Sequence, residues 1–178
     1  MKRILQLILI LGVVTLTLSC IQTAQTHINK GNKYFDKENW AQAIVEYTKA
    51  IELDPEIVDA YNNRGSSYIE LGEYEKAIDD YSKGIELDPK NVLLYYDRSM
   101  AYIHNEEYDK AIADCDRVLE LGLYYHFVYY NRAVAHAKKG EYEAALADFE
   151  RAKERTDNAE FHQRVDMYIN EIKEKMES

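Results

Sequence analysis

A self-similarity with a period of 34 residues constrains the fold of this chain more than any other feature of its sequence. The segment Tyr74-Glu-Lys-Ala-Ile78 recurs as Tyr108-Asp-Lys-Ala-Ile112, and the same spacing gives Trp40-Ala-Gln-Ala-Ile44 before it and Tyr142-Glu-Ala-Ala-Leu146 after it. Small residues keep this spacing at two further positions, which are Gly31, Gly65, Ser99 and Ala133, and Ala43, Ala77, Ala111 and Ala145. Fixed periods of about 20 to 50 residues are typical of repeat proteins. The chain therefore divides into four repeats, which begin near Ala24, Val58, Val92 and His126.

Each repeat contains two amphipathic stretches with helical periodicity. In the second repeat these faces are Tyr61, Arg64, Gly65 and Tyr68 in the first stretch, and Ala77, Ile78, Tyr81 and Ile85 in the second. Neither stretch buries its apolar face alone, so we expect antiparallel helical hairpins that stack on one another. After the last repeat, an apolar stripe predicts one further helix that caps the stack; it consists of Phe161, Val165, Tyr168, Ile172 and Met176.

These landmarks resemble the tetratricopeptide repeat over residues 24–159, with repeats 24–57, 58–91, 92–125 and 126–159. The resemblance implies an all-α fold, namely a right-handed superhelical solenoid of four tetratricopeptide hairpins plus a C-terminal capping helix over residues 160–178. Repeat three departs most from the pattern, because Cys115 takes an aromatic position and Gly122-Leu123 replaces the Asp88-Pro89 of repeat two. We expect Gly122 to supply a left-handed cap there.

The first 19 residues read as a secretion signal. Lys2 and Arg3 precede an uncharged run from Ile4 to Leu18, which is short of the roughly 20 apolar residues that span a bilayer. Residues 16–20, Leu-Thr-Leu-Ser-Cys, resemble the lipobox of bacterial lipoproteins, with Thr17 where Leu is commonest. That resemblance implies cleavage after Ser19, acyl chains such as palmitate on Cys20, and a short tether over residues 20–23. An ordinary signal peptide with an incidental cysteine, or an uncleaved anchor, are the alternatives.

The location implied is the cell envelope, with a lipid anchor in a membrane. Ile21 is not the Asp that retains lipoproteins at the inner membrane of enteric-type bacteria, so the periplasmic face of the outer membrane follows if Gram-negative sorting applies. Removal of residues 1–19 deletes Lys2 and Arg3 and no acid, so the net charge changes from −10 to −12. Nucleic acid is therefore excluded as a partner class, because its binding relies on clustered Lys and Arg.

No catalytic, metal-binding or cofactor-binding residue is predicted, and the chain is not expected to be an enzyme or to bind a small-molecule substrate. The five histidines lack the spacing of a helical metal motif beside an acid, and His27 and His136 stand at tyrosine positions of other repeats, which favours packed structural roles. Cys115 lies between Asp114 and Asp116, which raise a thiol's pKa, and it takes the place of Tyr47 and Tyr81. A buried core thiol is expected.

In tetratricopeptide arrays the first helix of each hairpin lines a concave groove. The positions implied for that groove here are Asn32, Asn62, Asn63, Leu93, Tyr96, Met100, Phe127, Tyr130, Asn131 and Val134. They run from polar in repeats one and two to apolar and aromatic in repeats three and four, and such side chains are common anchors for a peptide. The alternative is that Leu93 and Phe127 pack on neighbouring repeats.

One groove chemistry is disfavoured by particular residues. Chaperone-binding members of the family hold a C-terminal carboxylate with Lys, Asn and Arg side chains. Asn32 and Asn63 match that pattern, but Ile28, Leu93 and Asp97 replace the basic residues, and an acid does not bind a carboxylate.

The sequence therefore predicts a membrane-tethered scaffold or adaptor of the bacterial envelope that captures a peptide segment or helix of a partner protein. The alternatives are a structural subunit of an envelope or secretion complex that uses its convex face and stack ends, and a periplasmic ligand-binding receptor.

Overall fold

The computed structural model describes residues 22–177, and these contain helices, turns and no strand. Two compact units divide the chain, Met1–Leu87 and Asp88–Ser178. The N-terminal unit contains α1 (22–35), α2 (Trp40–Leu53), α3 (Val58–Glu70) and α4 (Tyr74–Leu87). The C-terminal unit contains α5 (Val92–His104), α6 (Tyr108–Glu120), α7 (His126–Lys139), α8 (Tyr142–Glu154) and α9 (Ala159–Glu177). The predicted all-α class, with its hairpins and an additional last helix, is confirmed.

The predicted signal peptide, Cys20 and residue 21 lie outside the described residues. Residues 22 and 23, which the sequence analysis assigned to a tether, belong to α1. Among residues 22–177, no helix has the length and hydrophobicity needed to cross a membrane.

The turn inside every hairpin has the same left-handed backbone. Residues 38, 72, 106 and 140 have φ values of 57°, 73°, 61° and 81°, and two of the four are Glu38 and Glu106 instead of glycine. In each turn the next amide donates to the carbonyl five residues before it at 2.9 Å, as Glu107 N does to Tyr102 O. This bond closes the first helix and reverses the chain. Gly122, at the end of α6, has φ 92°, so its predicted left-handed cap is also present.

Close approach of the two helices depends on the small residues of the repeat. A Cβ atom added to Gly31 would lie 2.4 Å from the Tyr47 ring, and one added to Gly65 would lie 2.8 Å from the Tyr81 ring. Both tyrosines are almost fully buried, as are Ala43 and the other alanines at its position. The spacing of small and aromatic residues therefore sets the packing distance within each hairpin.

A buried ion pair joins the two helices in repeats two, three and four, and the sequence analysis missed it. Each Arg donates two hydrogen bonds to one carboxylate, Arg64 to Asp80 at 2.8 and 2.7 Å, Arg98 to Asp114 at 2.8 and 2.8 Å, and Arg132 to Asp148 at 2.6 and 2.8 Å. The 34-residue spacing of these arginines and aspartates was the available signal. In repeat one Glu46 instead binds His27 and Lys49.

The helix α9 completes the C-terminal unit by packing on α7 and α8. Its buried residues are Phe161, Val165, Ile169 and Ile172, which form one cluster with Tyr129, Ala133 and Phe149. The predicted stripe was partly wrong, because Tyr168 is 37% exposed whereas Ile169 is 4% exposed. Spacings of four, four and three keep the true stripe on one side of a helix with 3.6 residues per turn.

Candidate functional site

The first helices of the hairpins carry all ten predicted groove residues, and the two units divide them. Asn32, Asn62 and Asn63 lie on α1 and α3 of the N-terminal unit, and the remaining seven lie on α5 and α7 of the C-terminal unit. Each unit therefore presents its own candidate surface.

In the N-terminal unit, α1, α2 and α3 enclose a polar hollow of about 350 Å³. Its lining residues are Asn32, Phe35, Asp36, Tyr47, Asn63 and Ser66. The Asn32 Oδ1 atom accepts hydrogen bonds from the Tyr47 hydroxyl at 2.8 Å and from Asn63 Nδ2 at 3.1 Å. Burial, assisted by the negative charge of Asp36, raises the pKa of Tyr47 to about 12, so the hydroxyl remains a donor. The two predicted asparagines thus form one pair at the wall of the hollow.

Asn62 stands beside this hollow with an unused acceptor. Its main-chain carbonyl accepts from Ser66 Oγ at 3.1 Å, whereas its side-chain Oδ1 is buried and has no hydrogen-bond partner among residues 22–177. Such an orphaned amide oxygen is uncommon in a folded protein.

In the C-terminal unit, α5 and α7 pack side by side and bring Tyr96 and Asn131 together. Asn131 is 7% exposed, and its Nδ2 atom has no hydrogen-bond partner in the described part of the chain. The Tyr96 hydroxyl lies beside this amide, and burial raises its pKa to about 12, with a contribution from the Asp97 charge. Leu93 and Met100 lie on the same face of α5, Leu93 with 57% of its surface exposed. This surface combines apolar side chains with unused polar groups.

The other groove candidates of α7 are covered by α9. The Phe127 ring centroid lies 5.5 Å from that of Phe161, and the Tyr130 centroid lies 5.7 Å from Phe161 and 5.9 Å from Tyr168. Val134 also packs against this cluster. The open groove predicted for these three residues is therefore occupied by the chain's own last helix, because that helix takes the place of a following repeat.

Reactive side chains outside these surfaces are engaged in structure. Cys115 is a free, fully buried thiol, and burial, more than the flanking aspartates, raises its pKa to about 12. His27 lies 2.7 Å from Glu46, and His136 lies 2.6 Å from Glu141. Among the described residues, no group of three or more His, Cys, Asp or Glu side chains is arranged to hold a metal ion.

Comparison with solved structures finds several relatives. The first tetratricopeptide domain of Spaghetti (RPAP3), bound to the HSP90 peptide SRMEEVD, is 30% identical; the match covers 71% of this chain and 95% of that one, with a TM-score of 0.57. A crystal structure of MamA is 26% identical over 74% of this chain and 77% of its own, with a TM-score of 0.71. A tetratricopeptide protein from Parabacteroides merdae ATCC 43184, 24% identical, matches 80% of this chain and 57% of its own with a TM-score of 0.72.

Comparison with family models gives the same result, whereas a search of curated proteins found no significant match. Models described as "Tetratricopeptide repeat" match residues 58–91, 126–155 and 81–113, and one described as "TPR repeat" matches residues 31–71. Together these matches cover more than half of the chain. The protein therefore belongs to the tetratricopeptide repeat family.

Proposed function

We propose that the protein is a membrane-tethered scaffold or adaptor of the bacterial cell envelope that captures a peptide segment or helix of a partner protein on the first helices of its hairpins. The observation that supports it most is the pair of buried amide atoms without partners, Asn62 Oδ1 and Asn131 Nδ2, on α3 and α7. The third such atom, Glu73 Oε2, belongs to a carboxylate that forms an ion pair with Lys76.

A bound peptide would satisfy these atoms. Leaving a buried donor or acceptor without a partner costs about 1 to 3 kcal/mol, and the main chain of an extended peptide offers an N–H and a C=O at every residue. Asn62 would accept from an N–H, and Asn131 would donate to a C=O. The relative whose title names a bound peptide binds it as Spaghetti; this chain carries Ile28, Leu93 and Asp97 at the basic positions, so we expect an internal segment instead of a C-terminal carboxylate.

The tether in this proposal is the lipid expected on Cys20, close to the start of α1. Three lysines on α1, Lys30, Lys33 and Lys37, line a hollow of about 370 Å³ together with Tyr34 and Glu46. At about 1.5 Å per residue, they lie roughly 12 to 22 Å along the helix from residue 22. Each lysine near an anionic lipid surface contributes about 1 kcal/mol of attraction. The lysines support a membrane-facing α1 in a chain of net charge −10.

A second candidate is a structural subunit of an envelope complex that docks through the end of the stack. It is favoured by exposed apolar residues on α9, where Met167 is 68% and Met176 is 44% exposed. Large exposed apolar side chains commonly mark interaction surfaces when they cluster.

Site-specific crosslinking in native membranes separates the two candidates. A photoreactive residue would replace Asn62 or Met100 for the first-helix surfaces, and Lys83 or Met167 for α4 and for the end helix. We expect a partner adduct from Asn62 and Met100. Adducts from Met167 or Lys83 alone would replace this proposal with the structural-subunit function. In the same cells, Cys20→Ser should release the protein from the membrane fraction, and continued membrane association would contradict the lipid tether.

A further inference from the structure

We propose that the surface formed by α5 and α7 selects a partner segment with a Lys or Arg side chain, which Asp97 binds while Asn131 and Tyr96 hold the adjacent main chain. This inference rests on the proposed function and names the chemistry of its ligand. It reverses the charge preference of the carboxylate-binding relatives described above.

Asp97 differs from every other partly or fully buried aspartate on the hairpin helices. Asp80, Asp114 and Asp148 each accept two hydrogen bonds from an arginine. Asp97 is partly buried and makes no hydrogen bond or ion pair with any residue from 22 to 177. Burial alone raises its pKa to about 6. Its charge is thus removed from water without compensation, and a cationic ligand group would provide that compensation.

A change at one repeat position explains why Asn131 has a free donor. Asn63 of repeat two donates to Asn32 of repeat one at 3.1 Å. Asn131 has the position of Asn63, 68 residues later, but the position of Asn32 is taken by Met100. A methionine cannot accept the amide hydrogens as Asn32 does, so Asn131 Nδ2 stays buried and unpaired. The C-terminal unit therefore keeps a donor that the N-terminal unit uses internally.

The surroundings of Asp97 fit a long basic side chain. Leu93 and Met100 lie four residues before and three residues after Asp97, on the same face of α5. They offer apolar contact to the methylene stem of a Lys or Arg while its charged end reaches the carboxylate. On the far side of α7, Arg164 lies over the Tyr130 and Phe161 rings at 5.7 and 5.5 Å. That positive charge favours placing the ligand cation on the α5 side.

The test uses the full chain in detergent and fluorescent blocked nonapeptides of alternating alanine and leucine whose central residue is Lys, Arg, Gln or Glu. Anisotropy titration gives the affinity for each. We expect the Lys and Arg peptides to bind at least about tenfold more tightly than the Gln peptide, because charge-assisted hydrogen bonds exceed neutral ones. Asp97→Asn should abolish this preference, whereas Asp79→Asn, which changes an exposed aspartate of α4, should retain it.

A second variant tests the role of Asn131 without touching it. Met100→Asn should restore the amide pair seen between Asn63 and Asn32 and weaken binding of all four peptides about fivefold or more. Unchanged affinity would overturn the assignment of Asn131 as a ligand donor.

The outcomes separate this inference from the proposed function. Equal binding of all central residues by the wild type, or a Lys preference that survives Asp97→Asn, would overturn the cation site while leaving peptide capture in place. No binding of any peptide would overturn both.

Discussion

The buried Arg64–Asp80 pair gives the sharpest test of how these hairpins are held together. Arg64 and Asp80 have only 18% and 7% of their side chains exposed, and the guanidinium also donates to Thr48 at 3.0 Å. Arg64→Met keeps most of the side-chain volume but leaves the carboxylate buried without its cation. Breaking a buried pair in this way costs about 3 to 5 kcal/mol, so we expect a loss of about 3 kcal/mol in the free energy of unfolding at pH 7.

The pH dependence of this loss follows from the sign of the Asp80 shift. Burial raises the pKa of the Asp80 carboxyl, and the Arg64 guanidinium opposes that rise. Without Arg64 the folded-state pKa rises further above the unfolded value of about 3.9. The folded state then binds the proton more tightly, so the variant loses stability as pH rises through that interval. The difference from wild type should therefore be smaller at pH 5 than at pH 7.

Urea denaturation followed by circular dichroism measures the loss, with two matched variants. Lys83→Met removes one partner of the exposed Lys83–Glu86 pair on the same helix and should cost about 0.5 kcal/mol or less. Arg64→Met with Asp80→Leu replaces both charges and should recover most of the loss. If Arg64→Met costs no more than Lys83→Met, or if its effect does not depend on pH, the ion pair does not hold the hairpin and the reasoning is wrong.

Four further predictions concern single positions. Ala77→Arg should cost at least about 3 kcal/mol, because Ala77 is fully buried between helices; an unchanged melting temperature would contradict the packing. Glu106→Gly should raise stability by about 0.5 to 1 kcal/mol in thermal melts, since residue 106 has φ 61°. Tyr130→Ala should cost about 2 kcal/mol or more, contrary to the small cost predicted from sequence, because its ring packs on Phe149 and Phe161. Asp97→Asn should raise stability by about 1 kcal/mol at pH 7, a value reduced for solvent screening, and should have no effect at pH 4, because the raised pKa penalises only the ionised form; equal effects at both values would exclude that cause.

Part of the candidate site was accessible from sequence. The family pattern put Asn32, Asn63, Tyr96 and Asn131 on the first helices of their hairpins, and the structure brings Asn32 to Asn63 and Tyr96 to Asn131. The pattern also suggested Tyr130 and Phe127 as open positions. It could not show that α9 covers them, because a groove position looks the same in sequence whether a following helix is present or not.

The sequence by itself determined the number of hairpins, their boundaries and the all-α class. Helices α3, α5 and α7 begin at Val58, Val92 and His126, the first residues of the repeats read from the 34-residue period. This succeeded because periodicity along one chain reports directly on which faces are buried within each hairpin.

Only the tertiary structure decided which polar groups have partners. Asp80 and Asp97 are both aspartates on amphipathic helices, yet one is neutralised by Arg64 and the other has no ion-pair partner among residues 22–177. Asn63 and Asn131 occupy the same repeat position, yet one is bonded to Asn32 and the other has an unpaired Nδ2. The physical reason is that pairing depends on distances across helices, which a single substitution such as Asn32 to Met100 changes without altering the repeat pattern.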